Sequence, residues 1–181
     1  MKIKGITDEC FSDYKLPAMF VAFPSCTFKC DQENGEQRCQ NCSLIREPDI
    51  EITKEALIER FLANPITDAI VCGGLEPFDS ITDLVSLVDC MRRVYKNDAP
   101  IIIYTGYTED EIISGAFMDN PSIGKSFITN LLQQPNIVIK YGRFRPDQPN
   151  HFDEVLGVTL ASPNQYAKAY NVENLVSPQK D

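Results

Sequence analysis

Ala18-Met19-Phe20-Val21-Ala22-Phe23-Pro24-Ser25-Cys26-Thr27-Phe28-Lys29-Cys30 is the stretch on which the reading of the fold turns. Six mostly apolar residues closed by a proline predict a buried strand, and a cysteine-bearing loop follows at once. The same plan recurs downstream. Residues 68–72 predict a second strand, stopped by Gly73-Gly74, and Pro100 introduces a β-branched third strand, Ile101-Ile102-Ile103-Tyr104. Residues 137–140 predict a fourth strand and 155–160 a fifth. Helical patterns lie between them. Thr53 predicts an N-cap ahead of Leu57, Ile58, Phe61 and Leu62. Ser80 with Asp83 has the form of a capping box before Leu84, Leu87, Val88, Met91 and Val94, and Thr108 with Glu111 has it before Ile112 and Ile113. Residues 123–133 read as a helix after breaks at Gly115, Asn120 and Pro121, and 164–170 as a short last helix.

Strands that alternate with helices predict an α/β fold with a mostly parallel sheet. Five strands are too few for a closed eight-stranded barrel, so the expected architecture is an open, partial (βα) barrel. Ligands gather at the carboxyl ends of such strands. There the chain carries the cysteine loop, Gly73-Gly74-Leu75-Glu76-Pro77, Tyr104-Thr105-Gly106-Tyr107, Tyr141-Gly142-Arg143-Phe144 and Ser162-Pro163-Asn164-Gln165. Five loops on one rim predict one active site.

At 181 residues the chain suits a single domain, 1–181, with no linker, repeat or low-complexity stretch. Hydrophobic residues are 43% and charged residues 24%, as in globular proteins. The net charge of -9 argues against a nucleic-acid partner. No apolar run nears the ~18 residues of a membrane span. The opening residues 1–8 lack the apolar segment of a signal peptide, which predicts a cytoplasmic chain.

Seven cysteines cannot all pair, and four of them, Cys26, Cys30, Cys39 and Cys42, fall within seventeen residues. Without an export signal such a cluster predicts metal ligation. Four thiolates could hold structural zinc or a four-ligand iron–sulfur cluster, and three could hold a 4Fe-4S cluster with one open iron. Cys10, Cys72 and Cys90 read as incidental or buried thiols. Arg92, Arg93 and Lys96 read as an exposed helix end, and His151 as a surface or capping residue. Arg143 reads either as a solvated charge or as a group facing a partner's acidic surface.

The order of these motifs resembles the radical S-adenosylmethionine (SAM) superfamily, and within it the activating proteins of anaerobic (class III) ribonucleotide reductases. The resemblance is carried by Phe23-Pro24-Ser25-Cys26-Thr27-Phe28-Lys29-Cys30, Cys72-Gly73-Gly74-Leu75-Glu76-Pro77-Phe78, Tyr104-Thr105-Gly106-Tyr107-Thr108 and Ser162-Pro163-Asn164-Gln165, over about residues 18 to 166. It implies an oxidoreductase that cleaves SAM reductively at a 4Fe-4S cluster. The product is a 5′-deoxyadenosyl radical, which generates a glycyl radical on the large subunit of an anaerobic ribonucleotide reductase. An external one-electron donor such as flavodoxin or ferredoxin is implied as well. Cys26, Cys30 and a third cysteine would ligate three irons. Gly73 and Gly74 would let the backbone approach the methionine moiety, Glu76 would meet the SAM amino group, and Tyr104 and Thr105 would contact ribose or adenine. Catalysis of this kind needs no acid–base dyad, in keeping with a single histidine.

The chain departs from the family pattern in three places. The family spacing is Cys-x3-Cys-x2-Cys, whereas here eight residues separate Cys30 from Cys39 and eleven separate it from Cys42. Cys39-Gln40-Asn41 resembles the Cys-x-Asn that follows the third ligand, which favours Cys39 over Cys42. Leu75 is inserted into what is commonly Gly-Gly-Glu-Pro. The aromatic residue usual just before the third cysteine is replaced by Arg38 (or Asn41, if Cys42 binds).

Overall fold

The computed structural model describes residues 1–37 and 39–171. Ten strands appear among them: β1 (Lys2–Ile3), β2 (Gly5–Cys10), β3 (Ala18–Phe23), β4 (Ile50–Glu51), β5 (Ala69–Gly74), β6 (Ile101–Tyr104), β7 (Ile137–Tyr141), β8 (His151–Asp153), β9 (Val158–Leu160) and β10 (Tyr166–Tyr170). The helices are α1 (Lys29–Asn34), α2 (Lys54–Ala63), α3 (Ile81–Asp89), α4 (Glu109–Ser114) and α5 (Pro121–Leu132). The main sheet has six strands in the order β10-β7-β6-β5-β3-β2. Its four middle strands are parallel, and β2 and β10 close its two edges antiparallel.

Side chains along each middle strand alternate between two cores, as strand geometry requires. Met19, Val21, Ile70, Cys72, Ile101, Ile103, Ile137 and Ile139 meet the helices. Ala18, Ala69, Val71, Ile102 and Val138 meet a smaller core completed by Tyr14, Leu156 and Leu160. Both faces are covered, which is why β6 is Ile101-Ile102-Ile103 with no polar alternation. The 11–16 loop and the β8–β9 hairpin lie over the face away from the main helices, and with the strands' carboxyl ends they enclose a cavity.

Local signals act where expected at several helix starts. The Thr53 hydroxyl accepts from the Ala56 amide at 3.1 Å. Thr108 and Glu111 form a complete capping box. Asn120 caps α5, and Pro121 is its first residue rather than a break before it. Ser80 does not cap α3: its hydroxyl lies 2.9 Å from that of Ser25 and ties the α3 start to the cysteine loop.

The chain's last elements depart from expectation. Within 155–160, only Val158–Leu160 is strand, and it pairs with β8 in a hairpin outside the main sheet. Residues expected to form a short last helix form β10, antiparallel to β7 in the register Tyr166↔Tyr141 to Tyr170↔Ile137. The open edge of β7 offers backbone partners that outweigh the helix preference of Ala167, Lys168 and Ala169. The β1 and β2 strands had no clear apolar alternation to announce them. Arg92 is not an exposed helix end but is buried, donating to the carbonyls of Asn97, Ala99 and Pro135 at 2.7, 2.9 and 3.0 Å. Cys72 and Cys90 are buried in the helical core, whereas the Cys10 thiol donates to Asp13 at 2.9 Å. Among the described residues no helix is long and apolar enough to cross a membrane.

Candidate metal centre

A cavity of about 470 Å³ lies on the helix-free face, at the carboxyl ends of β3, β5, β6 and β7. Each of the five predicted loops contributes to its wall: Cys26 and Cys30, Gly74 and Glu76, Tyr104 and Thr105, Gly142 and Phe144, and Gln165. Cys39 lines it with Cys26 and Cys30. Cys42 does not; it borders a neighbouring surface depression with Cys39, Ser43 and Arg46.

The cysteine loop is anchored to the strand ends by short hydrogen bonds. Glu76 donates its amide to the Ser25 carbonyl at 2.8 Å, and Thr27 donates its amide to Asp79 at 2.7 Å. The Asn41 side-chain amide donates to the Gly74 carbonyl at 2.8 Å, so the segment after Cys39 is fastened to the Gly-Gly turn. Gly74 has φ +78°, and a Cβ there would stand 2.8 Å from that of Ala22, so glycine is required on both counts. Gly73 lies behind the wall, where a Cβ would come 3.1 Å from the Phe20 ring.

Glu76 lines the cavity with its carboxylate already engaged. Oε1 accepts from the Phe78 amide at 3.1 Å and the Thr105 hydroxyl at 2.8 Å, and Oε2 accepts from the Gly106 amide at 2.8 Å. It thereby holds the ends of β5 and β6 together. Burial pushes its carboxyl up to about 7 against the pull of those donors. The Tyr104 hydroxyl donates to the Asp13 carbonyl at 2.7 Å. Thr105 is buried, and its hydroxyl oxygen also accepts from the Tyr107 amide at 3.0 Å.

Lys140, which did not stand out in the sequence, is buried on the cavity wall. Its ammonium donates to the Gly142 carbonyl at 3.0 Å and stands 5.8 Å from the centre of the Tyr104 ring. Burial lowers its pKa to about 8, although Glu76 and Cys30 favour the charged form. The only sequence sign was a lysine ending an otherwise apolar strand, Ile137-Val138-Ile139-Lys140.

The donor set fits a cluster. Cys26, Cys30 and Cys39 are half-buried free thiols. Burial pushes Cys26 up to about 12, and it raises Cys30 and Cys39 as well. Backbone amides oppose it at each sulfur: Phe28 at Cys26, Phe144 at Cys30 and Asn41 at Cys39. Such N–H groups stabilise sulfur once it carries charge. A single zinc needs its donors within about 2.0–2.3 Å of one point. Among the described residues no three Cys, His, Asp or Glu are gathered to hold one ion, and Cys26, Cys30 and Cys39 share one cavity wall.

Comparison with curated proteins and with solved structures gave no match. The family described as a 4Fe-4S single cluster domain matches residues 18–158. That span holds all three cavity cysteines and all four parallel strands, and the chain therefore belongs to the 4Fe-4S single cluster domain family, as an iron–sulfur protein.

Proposed function

We propose that this chain is a radical SAM enzyme and that the main sheet serves as the open partial barrel of that superfamily. Cys26, Cys30 and Cys39 would ligate three irons of the 4Fe-4S cluster, leaving the fourth for SAM. When bound and reduced, the cluster supplies one electron that breaks a C–S bond of SAM to give methionine and a 5′-deoxyadenosyl radical. The observation that carries this reading is the shared cavity, in which three cysteines stand beside the Gly74 turn and the Tyr104-Thr105 strand end.

The chain's own residues bind, orient and exclude water. Gly74 and Glu76 shape the wall beside the cysteines, the latter with its carboxylate held by three donors. Lys140 places a buried cation where an anionic group of the ligand gains most from it. Tyr104 offers a ring face for ribose or adenine. The β8–β9 hairpin covers the flank, shielding a reactive radical from solvent. The radical's target in this reading is a glycine of an anaerobic ribonucleotide reductase, and the electron comes from a flavodoxin- or ferredoxin-type donor.

The test is anaerobic loading with iron and sulfide, reduction, and addition of SAM. 5′-Deoxyadenosine is the expected product, and none from a fully loaded, reduced cluster overturns the reading. A glycyl-radical EPR signal on the reductase tests the narrower assignment. Cys39→Ala should lose iron and the SAM-dependent change in the EPR spectrum, whereas Cys42→Ala should keep both. A requirement for all four cysteines would instead indicate a four-ligand electron carrier.

A further inference from the structure

Arg143 satisfies neither expectation drawn for it. It is neither solvated nor offered to a partner, because its side chain is 8% exposed and lies between two carboxylates. Its two terminal nitrogens donate to Glu111 at 2.9 and 2.7 Å, and its Nε stands 3.0 Å from Glu33. Glu33 belongs to α1, the short helix that carries Cys30, and Glu111 belongs to the capping box of α4. Lys29, also on α1, stands 3.6 Å from Glu111 and 4.6 Å from the centre of the Tyr107 ring. Asn34 closes the helix by donating to the Cys30 carbonyl at 2.8 Å and the Phe144 carbonyl at 3.4 Å. Helix α1 has no fully buried residue of its own, and these polar contacts help to hold it in place.

The same arginine lies beside the sulfur. A Cβ built on Gly106 would meet the Cys30 Sγ at 3.3 Å and the Arg143 Cγ at 3.8 Å, so both side chains press on one small glycine. They share the wall of one small cavity with Cys26 and Tyr107. The field of the guanidinium favours the Cys30 thiolate, and Cys30 favours the charged guanidinium in return.

We propose that Arg143 is a positioning residue for the cluster. It locks α1 so that Cys30 keeps its place on the cavity, and its fixed positive charge stabilises the more negative, reduced cluster. A buried guanidinium beside one ligand raises the reduction potential, and a forked guanidinium between two carboxylates gives a rigid mount that a lysine cannot reproduce. The inference rests on Cys30 being a ligand in the reading above, though not on SAM cleavage.

The experiment compares wild type with Arg143→Met, Arg143→Lys and Glu33→Gln, each loaded with iron and sulfide without oxygen. It reads the midpoint potential by EPR-monitored titration and the rate of iron loss to a chelator. Arg143→Met should shift the potential negative and weaken iron retention by about ten- to a hundredfold, the range for lost supporting contacts at metal ligands. Arg143→Lys should restore the potential but not the retention. Wild-type potential and retention in Arg143→Met, or an equal negative shift in Arg143→Lys, overturns the proposal. Should Arg143→Met hold no cluster, the exposed Glu33→Gln decides: faster iron loss supports the clamp, and the wild-type rate overturns it. A Cys30→Ala control that keeps its iron would overturn the ligand assignment itself, and so separates that failure from this one.

Discussion

Glu76 shows how one buried carboxyl sets a pH dependence. Desolvation lifts it from 4.5 to about 7, so the folded chain keeps a proton that the unfolded chain has released. The stabilisation is full below about pH 4.5 and is lost as pH rises to about 7, a span equivalent to roughly 3 kcal/mol. Thermal melts of the cluster-free chain should show this slope in wild type and not in Glu76→Gln. Glu111 behaves oppositely. Burial pushes its carboxyl up, but Arg143 and the Thr108 amide and hydroxyl together hold it at about 2. It therefore contributes stability above pH 4.5 that is lost as the pH falls towards 2. At Gly74, alanine should cost at least about 1–2 kcal/mol from the positive φ alone, with the close approach to Ala22 adding to it, as read by urea denaturation. Among the candidate site residues, Cys26, Cys30, Cys39 and Gly74 stand out in the sequence because their chemistry is rare and positional, and the structure brings them to one cavity. Lys140 and Arg143 do not stand out, since whether a cation is buried depends on distant segments such as α4 and β8–β9.

Elements were most legible where pattern and packing agree. Strands β3, β5, β6 and β7 are apolar on both faces because both faces are covered, and their ends coincide closely with Pro24, Gly73-Gly74 and the aromatic loops. The region after β7 was harder, because its pairing is decided by an edge and by one side chain. Asp153 is buried in the hairpin, its Oδ1 accepting from the Leu156 amide and its Oδ2 from the Ala167 amide, both at 2.9 Å. That single carboxylate joins β8 to β10, and nothing in the local sequence of Tyr166–Tyr170 reports it. Asp153→Ala leaves two buried amides unpaired and should cost about 2–4 kcal/mol, with the loss of stability measured by denaturant titration. The variant should also loosen the flank of the cavity.

At the level of the whole molecule, the three cavity cysteines make cluster assembly a proton-releasing event. Burial holds each thiol above its ordinary value, so the free site is protonated near neutral pH, and ligation must expel those protons. Iron–sulfur loading should therefore strengthen as pH rises from 7 to 9, measured as iron bound per chain against a competing chelator at constant ionic strength. The cavity wall draws on residues from Ser12 to Gln165, separated by nearly the full length of the folded chain. No fragment ending before β7 contains the whole pocket. The brown colour of a bound cluster would accordingly act as a gauge of completed folding: in denaturant it should fade together with the far-ultraviolet helix signal, in one transition, and a nascent chain would stay colourless until its final strands had joined the sheet.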